Sequence, residues 1–268
     1  MSRTRRAKLL ALHSLLSAYA MLELTNITKT FGGVRAVDNV SFSIDEGSLT
    51  AIIGPNGAGK TTLFNLIAAA MPPSDGHISF LDKKLPPQPH KAAKRGIART
   101  FQNVRLFHDM TLLENVLCAW NTGSFIGCSI WPGRYREDER LRMKRANYIL
   151  EDMGLGDDIN TRAGDLPFGK QRLAEIARAL ALSPKMLLLD EPAAGLNRTE
   201  SAQLSKLIRH IVSSGITVLL VEHDMQLVMR LAERVIVLDS GALIADGNPS
   251  EVSSNPRVIE AYLGVAEC

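Results

Sequence analysis

The apolar residues of the chain fall into short segments with two different patterns. Continuous apolar runs suit central parallel strands that helices cover on both faces, and they are LTAII (49–53), MLLLD (186–190), TVLLV (217–221) and VIVLD (235–239). Alternating or β-branched segments are typical of half-buried strands, and they are LELTNI (22–27), VSFSI (40–44), ISFLD (78–82) and the late ALIADG (242–247).

Helical periodicity lies between these strands, over residues 60–70, 169–182, 199–214 and 225–232. Because strands and helices alternate, the sequence predicts an α/β fold. The stretch from about Asp109 to Asp165 differs, since it has few β-branched runs and shows helical patterns over 111–120 and 137–153. We therefore predict a mostly helical insertion between two parts of one α/β core.

Composition and charge narrow the classes of function. The chain has 268 residues, enough for one domain with a subdomain, and 46% of them are hydrophobic. Its net charge of +3 comes from four basic residues among the first 20, so the remainder is nearly neutral and argues against nucleic acid as a partner. The spacing of Cys118, Cys128 and Cys268 matches no metal site or disulfide framework, so a reducing compartment is the simplest interpretation.

A glycine-rich loop after the apolar run 49–53 fits the pattern G-x-x-x-x-G-K-[ST]. Glycines let backbone N–H groups surround phosphate oxygens, and the following helix directs its positive end at the anion. Lys60 is placed to bind the β- and γ-phosphates, and the Thr61 hydroxyl to ligate Mg²⁺. The predicted nucleotide-binding residues of this loop are Gly54, Pro55, Asn56, Gly57, Ala58, Gly59, Lys60, Thr61 and Thr62.

Polar residues after two other apolar runs supply candidate partners for a phosphate. Asp190 ends the run 186–190, where it is placed to hold Mg²⁺, and Glu191 is placed to orient and deprotonate an attacking water. His223 lies just past the run 217–221, from where it can donate to a γ-phosphate. Gln102 follows an apparent strand, and its position by itself indicates nothing.

These motifs occur in the order and with the spacing found in the nucleotide-binding subunits of ABC transporters. The chain resembles those subunits over about residues 21–264. The resemblance implies a P-loop NTPase (RecA-like) core with an antiparallel β subdomain and a helical insertion subdomain. LPFGKQR (166–172) stands where the family has its signature, and AAGLN (193–197) is the loop that crosses between subunits. Phe31 in KTFGG corresponds to the aromatic residue that stacks on adenine, as a flat apolar face suits a flat base.

The resemblance also assigns roles in hydrolysis of ATP. Gln102 senses Mg²⁺ and the attacking water, Glu191 is the general base, and His223 is the switch histidine. The predicted catalytic residues are therefore Glu191, His223 and Gln102, and the predicted magnesium ligands are Thr61, Gln102 and Asp190. ATP and Mg²⁺ are the implied cofactors.

The resemblance implies a head-to-tail dimer in which each ATP lies between one subunit's phosphate loop and the other's signature loop. ATP closes this dimer and hydrolysis lets it open. The implied partners are two membrane permease subunits, a second ABC ATPase subunit or a second copy of this chain, and an extracytoplasmic solute-binding protein. The helical insertion and the glutamine loop form a groove for a permease helix, at the cytoplasmic face of the inner membrane.

The signature departs from the family's general Leu-Ser-Gly-Gly-Gln. Pro167 and Phe168 replace the serine and one glycine, whereas Gly169 remains, so one N–H can still approach a phosphate at a helix N-terminus. Lys170 adds a positive charge that partly compensates. We expect lower ATPase activity than in subunits with the general signature, or dependence on a partner subunit whose signature is closer to Leu-Ser-Gly-Gly-Gln.

Three longer segments and Asn197, which replaces the usual aspartate, resemble the importers of branched-chain amino acids. The segments are RTFQNVRLFHDMTLLENV (99–116), EPAAGLN (191–197) and IEAYLG (259–264). The first hypothesis is therefore the ATPase subunit of an importer for branched-chain or related hydrophobic amino acids. Urea uptake, lipopolysaccharide export, a soluble ABC ATPase outside transport and a non-hydrolysing nucleotide binder are the alternatives. Such a subunit does not touch the solute, so its sequence names none, and homodimer and heterodimer both stay open.

The predicted domains are an extension (1–20), an ABC ATPase domain (21–264) with a helical subdomain (109–165), and a tail (265–268). The extension has a basic start, a short apolar stretch and an Ala-Tyr-Ala end, like a secretory signal. A short amphipathic appendage and an upstream mis-start, with Met21 as the true start, both stay open. A cleaved export signal fits less well, because the predicted activity needs cytosolic ATP.

Overall fold

The computed structural model describes residues 20–120 and 132–263. The predictions for residues 1–19, for the tail 265–268, and for Cys128 and Cys268 lie outside these residues. The described residues fall into two compact units: those of unit 1 lie within Met1–Pro89 and Ala232–Cys268, and those of unit 2 within His90–Leu231.

Strands and helices alternate along most of the described chain. The strands are β1 (Ala20–Phe31), β2 (Val34–Asp45), β3 (Leu49–Ile53), β4 (Asp75–Phe80), β5 (Lys83–Lys84), β6 (Ile97–Arg99), β7 (Met186–Asp190), β8 (Thr217–Val221), β9 (Arg234–Asp239) and β10 (Ala242–Gly247). The helices are α1 (Lys60–Ile67), α2 (Pro89–Lys94), α3 (Leu112–Leu117), α4 (Pro132–Asp152), α5 (Phe168–Ala181), α6 (Arg198–Ser213), α7 (Met225–Leu231), α8 (Pro249–Ser253) and α9 (Pro256–Leu263). Short 3₁₀ segments lie at Cys118–Trp120, Gly156–Asp158 and Ala163–Asp165.

Unit 1 contains an antiparallel sheet with the strand order β2-β1-β4-β5. Its longest pairing is the β1–β2 hairpin, which runs from Ala20 opposite Asp45 to Phe31 opposite Val34. The sequence predicted only a part of each of these strands, residues 22–27 of β1 and residues 40–44 of β2. Several register shifts interrupt the ladder, and such irregularities break the strict alternation by which half-buried strands are found.

Unit 1 also holds β3, every residue of which is buried, paired in parallel with β9. Strand β9 forms an antiparallel hairpin with β10. Helix α1 follows the loop after β3 and ends at Ile67, earlier than the predicted residue 70. It ends there because Ala69 adopts a left-handed conformation with φ 55°, and Pro72 and Pro73 follow.

Unit 2 is built on the parallel strands β6, β7 and β8, with β7 in the middle. All residues of β7 and β8 are buried, as their continuous apolar runs predicted. Helix α6 starts at an Asn197 cap whose side chain accepts hydrogen bonds from the N–H groups of Thr199 and Glu200. The α/β fold class that the sequence predicted is confirmed.

Between Asp109 and Asp165, the regular elements that the structure describes are helical, apart from an isolated bridge between Thr111 and Arg162. Helices α3, α4 and α5 pack against one another through buried apolar residues that include Val116 and Leu150. The limits of a separate helical subdomain stay a prediction. None of the described helices has the length and apolar character required to cross a membrane.

Candidate functional site

In unit 1, the loop after β3 is shaped by glycines in conformations that other residues rarely adopt. Gly54 and Gly59 have φ angles of 151° and 95°. A Cβ on Gly54 would lie 2.1 Å from the Leu238 carbonyl oxygen, and a Cβ on Gly59 2.2 Å from that of Ala36. The loop therefore needs both the backbone freedom and the small size of glycine at these two positions.

The lysine of the loop is folded back into it. Lys60 is 6% exposed, and its Nζ donates to the carbonyl oxygens of Gly54 at 2.7 Å and Pro55 at 2.9 Å. These bonds hold the ammonium group against the backbone of the loop. The geometry supplies a fixed positive charge at the site where the sequence predicted a phosphate.

The start of α1 leaves backbone donors available to an anion. Gly59 is the N-cap, no side chain caps the helix, and its first turn carries no acidic residue. Asn56, Gly57 and Thr61 are exposed. The N–H groups of the first turn and the Thr61 hydroxyl therefore suit a bound, negatively charged group and its metal ion.

Gly59→Ala is expected to lower the free energy of unfolding by several kcal/mol, since the new Cβ requires the Ala36 backbone to shift. Gly57→Ala is the matched control. Gly57 also has positive φ, 85°, but its surroundings are open where a Cβ would project, so only the conformational cost of about 1–2 kcal/mol applies. Thermal unfolding of the nucleotide-free variants measures the difference, and equal costs would contradict the crowding at Gly59.

In unit 2, the carboxylate predicted to hold Mg²⁺ is bound by an arginine. Asp190 ends β7, and its Oδ2 accepts a hydrogen bond of 2.9 Å from the Arg99 guanidinium at the end of β6. Only 6% of the Asp190 side chain and 15% of the Arg99 side chain are exposed. The pair is buried, which reduces its screening by solvent. The sequence analysis did not identify Arg99.

The structure brings the three predicted catalytic residues together. The Gln102 Nε2 donates to the Glu191 Oε2 at 2.9 Å, and the His223 Nε2 contacts the Glu191 Oε1. Glu191 itself has a positive φ of 47°, an unfavourable conformation for a residue with a side chain. The Glu191 N–H donates to the carbonyl oxygen of Val221, the last residue of β8, at 2.8 Å. This hydrogen bond holds Glu191 in its conformation. The carboxylate is thus oriented from both sides.

A second carboxylate, missed by the sequence analysis, fixes the backbone around Glu191. Glu222 is 3% exposed and accepts hydrogen bonds from the N–H groups of Ala193 at 2.8 Å and His223 at 3.1 Å. Burial, with the nearby Glu191 carboxylate, raises the pKa of Glu222, although its backbone hydrogen bonds act against this rise. Glu222 therefore ties the segment after Glu191 to the segment that carries His223.

The signature segment lies at the start of α5 and packs on the cap of α6. A Cβ on Gly169 would lie 2.6 Å from the Glu200 Oε1, and a Cβ on Gly195 would lie 3.1 Å from the Phe168 ring. Lys170 was predicted to offer charge to a phosphate, but in this structure its Nζ forms a 2.6 Å ion pair with Asp158. The reason is its place on α5, where an acidic residue of the neighbouring 3₁₀ segment lies within reach.

A buried ion pair joins α5 to the segment around Gln102. Arg172, 1% exposed, donates to the carbonyl oxygens of Phe101 and Gln102, each at 2.7 Å, and to the Glu175 Oε2 at 3.2 Å. The other oxygen of Glu175 accepts from the N–H groups of Phe101 and Arg105, both at 3.3 Å. Burial raises the pKa of Glu175, although Arg172 opposes the rise. The sequence analysis did not identify this pair.

The remaining predicted residue, Phe31, lies in unit 1 at the turn of the β1–β2 hairpin. Its side chain is 49% exposed, and the Lys29 ammonium lies 5.2 Å from the ring centre. An exposed aromatic ring beside a cation offers a flat apolar surface that a base can stack on.

Comparison with known proteins agrees with the family that the sequence resembles. The sequence matches the family described as ABC transporter over residues 37–194, and the family described as branched-chain amino acid ATP-binding cassette transporter over residues 242–267. It is 44% identical to the high-affinity branched-chain amino acid transport ATP-binding protein BraF of Pseudomonas aeruginosa, with 92% of this chain and 98% of BraF covered. LivG of Salmonella typhimurium, with the same description, is 42% identical at the same coverage.

Solved structures agree in fold. A nucleotide-free ATP-binding cassette of an ABC transporter superposes with a TM-score of 0.81 and 34% identity, covering 91% of this chain and 99% of that one. A dimeric, post-hydrolysis cassette bound to ADP and Pi gives a TM-score of 0.70 and 29% identity, with 85% and 99% covered. The chain belongs to the ATP-binding subunits of ABC transporters, in the branch of branched-chain amino acid transport proteins.

Proposed function

We propose that this chain hydrolyses ATP to energise an importer of branched-chain or related hydrophobic amino acids. The observation that carries the proposal is the Glu191 carboxylate, held between Gln102 and His223 directly after β7. A carboxylate oriented in this way suits a general base that activates water. The likeness to BraF and LivG, which are transport ATP-binding proteins, supports the importer and its class of solute.

The loop from Gly54 to Thr62 binds the phosphates in this proposal. Its backbone N–H groups and the buried Lys60 ammonium supply the donors and the charge that polyphosphates need. Phe31 stacks on the adenine ring. Gly169 presents an N–H group to the γ-phosphate bound by the other subunit of a dimer. The dimeric cassette with ADP and Pi supports this association.

The described residues fit Mg²⁺ bound with nucleotide. No group of three or more His, Cys, Asp or Glu within the described ranges could hold a metal ion. Mg²⁺ does not need such a cluster, because it is usually held by one or two carboxylates and by substrate phosphates. Asp190, Thr61 and Gln102 are the proposed ligands. When bound, the ion neutralises charge that develops on the phosphates.

Glu191 takes the proton of the attacking water, and Gln102 and His223 keep its two oxygens in position. Water then attacks the γ-phosphorus, the bond to the β–γ bridging oxygen breaks, and ADP and inorganic phosphate are released. In this proposal, His223 also donates to the γ-phosphate. Closure with ATP and opening after hydrolysis convert this reaction into movement of the permease subunits.

The proposed assembly lies at the cytoplasmic face of the inner membrane. It contains two permease subunits, two ABC ATPase subunits and an extracytoplasmic solute-binding protein. This chain associates peripherally, through its helical segment, with the permeases.

The proposal is tested by uptake of radiolabelled leucine, isoleucine and valine in cells that lack this chain. We expect uptake to be lost, restored by the wild-type chain and not restored by Lys60→Ala. That variant loses charge-assisted hydrogen bonds to phosphate, worth about 1.5–3 kcal/mol. Lys83→Ala, at an exposed lysine of β5, is the matched control and is expected to restore uptake. Unchanged amino-acid uptake with loss of urea uptake would contradict the proposed solute, and restoration by Lys60→Ala would contradict the binding role.

A further inference from the structure

The ion pair between Arg99 and Asp190 is built into adjacent strands of unit 2. Arg99 lies opposite Leu188 in the parallel β6–β7 pairing, and Asp190 is two residues further along β7. Side chains two residues apart on a strand point to the same face, so the long arginine side chain reaches diagonally to the carboxylate. The 2.9 Å hydrogen bond between Arg99 and Asp190 is thus a consequence of the strand register.

The environment of Arg99 holds its guanidinium in place. Its side chain is largely buried, and its Cζ lies 5.3 Å from the centre of the Phe101 ring. The guanidinium of Arg105, an exposed residue, lies over the same ring at 4.4 Å, but within the described ranges the ion-pair partner of Asp190 is Arg99. A buried carboxylate without a partner is costly, so the position of Arg99 offsets the desolvation of Asp190.

We propose that Arg99 is the counter-cation of Asp190 in the metal-free protein, and that binding of a divalent cation at this carboxylate exchanges one positive partner for another. This inference rests on the proposed function, in which Asp190 is a magnesium carboxylate. Arg99 is then a positioning residue that sets how strongly the site binds its metal. It keeps Asp190 ordered before the metal arrives, and it lowers the affinity by competing for Oδ2.

Competition between Arg99 and the metal ion for Asp190 should weaken metal binding. A positive charge bonded to Asp190 repels a divalent cation that approaches the same carboxylate, and the pair is too buried for solvent to screen this repulsion fully. Removal of the guanidinium should therefore tighten metal binding. A role for Arg99 as a purely structural support predicts the opposite, because a disordered Asp190 would bind metal less well.

The test is a titration of the protein with Mn²⁺ in the presence of saturating ADP. Electron paramagnetic resonance measures the bound Mn²⁺ at each step. Mn²⁺ shares the oxygen ligands of Mg²⁺ and reports binding directly, without hydrolysis. We expect Arg99→Met to lower the Kd for Mn²⁺ by about tenfold. Arg105→Met is the matched control, since it removes the same group from the same ring, and its Kd should stay within about twofold of the wild type.

Two further variants keep the outcome interpretable. Arg99→Lys retains the charge and should bind Mn²⁺ nearly as the wild type does. Asp190→Asn should weaken binding; if it does not, Asp190 is not a metal carboxylate, and the magnesium assignment falls together with this inference. If Asp190→Asn weakens binding but Arg99→Met leaves the Kd unchanged or raises it, the inference about Arg99 alone is wrong.

Thermal unfolding in EDTA gives an independent measurement. Arg99→Met should unfold at a lower temperature than the wild type, because Asp190 loses its partner in the metal-free state. The double variant Arg99→Met/Asp190→Asn should regain part of this loss, since its uncompensated charge is removed. A double variant no more stable than Arg99→Met would contradict the role of Arg99 as the counter-cation.

Discussion

Glu191→Gln is expected to lower the rate of ATP hydrolysis by about two to four orders of magnitude, the usual contribution of a general base. Glutamine keeps the shape of the side chain and can still contact Gln102 and His223, but it cannot accept the proton of the attacking water. Binding of ATP should persist, because the residues that hold the phosphates are unchanged. Single-turnover hydrolysis and equilibrium binding of ATP measure the two effects separately.

The control for this prediction is Glu46→Gln, at an exposed residue of the turn after β2, which should hydrolyse ATP as the wild type does. The variant Glu191→Gln should also accumulate as an ATP-bound dimer, detectable by size-exclusion chromatography, because hydrolysis no longer opens it. An unchanged hydrolysis rate would show that Glu191 is not the general base. Loss of ATP binding would show that it acts in binding instead.

Arg172→Met is expected to lower the free energy of unfolding by about 3–5 kcal/mol, the usual cost of breaking a buried ion pair. The change leaves the Glu175 carboxylate, 2% exposed, without its cation and removes the donors to the Phe101 and Gln102 carbonyl oxygens. For a protein of this size the melting temperature should fall by roughly 10 °C. Calorimetry or circular dichroism measures the shift.

Arg142→Met, on an exposed face of α4, is the matched control and should change stability little. Adding Glu175→Gln to Arg172→Met should recover part of the loss, since a neutral amide replaces the uncompensated carboxylate and can still accept from the Phe101 and Arg105 N–H groups. A loss below about 1 kcal/mol in Arg172→Met would contradict the structural importance of the pair.

The fold class and the core strands were predictable from sequence because continuous apolar runs report burial on both faces. Strands β3, β7 and β8 have the predicted limits, and the α1 start at Lys60 follows from the glycine loop before it. Strand β5 and helix α2 were missed, since each is too short to show a period.

The sequence by itself determined the family. It also delimited the glycine-rich loop that is predicted to bind phosphate, because that loop is a contiguous segment whose backbone shape depends on its own glycines. It also placed Asp190, Glu191 and His223 after buried strands. Only the tertiary structure decided that Gln102 and His223 contact the Glu191 carboxylate, since these residues are far apart along the chain.

The tertiary structure alone also decided the partners of Asp190, Lys170 and Arg172. An analysis of hydrophobic periodicity assumes that arginine, lysine and glutamate lie on the surface. A single sequence therefore does not reveal a charged residue that is buried with a partner. Strand register and helix packing bring such charges together, and those contacts form only when distant segments of the chain meet.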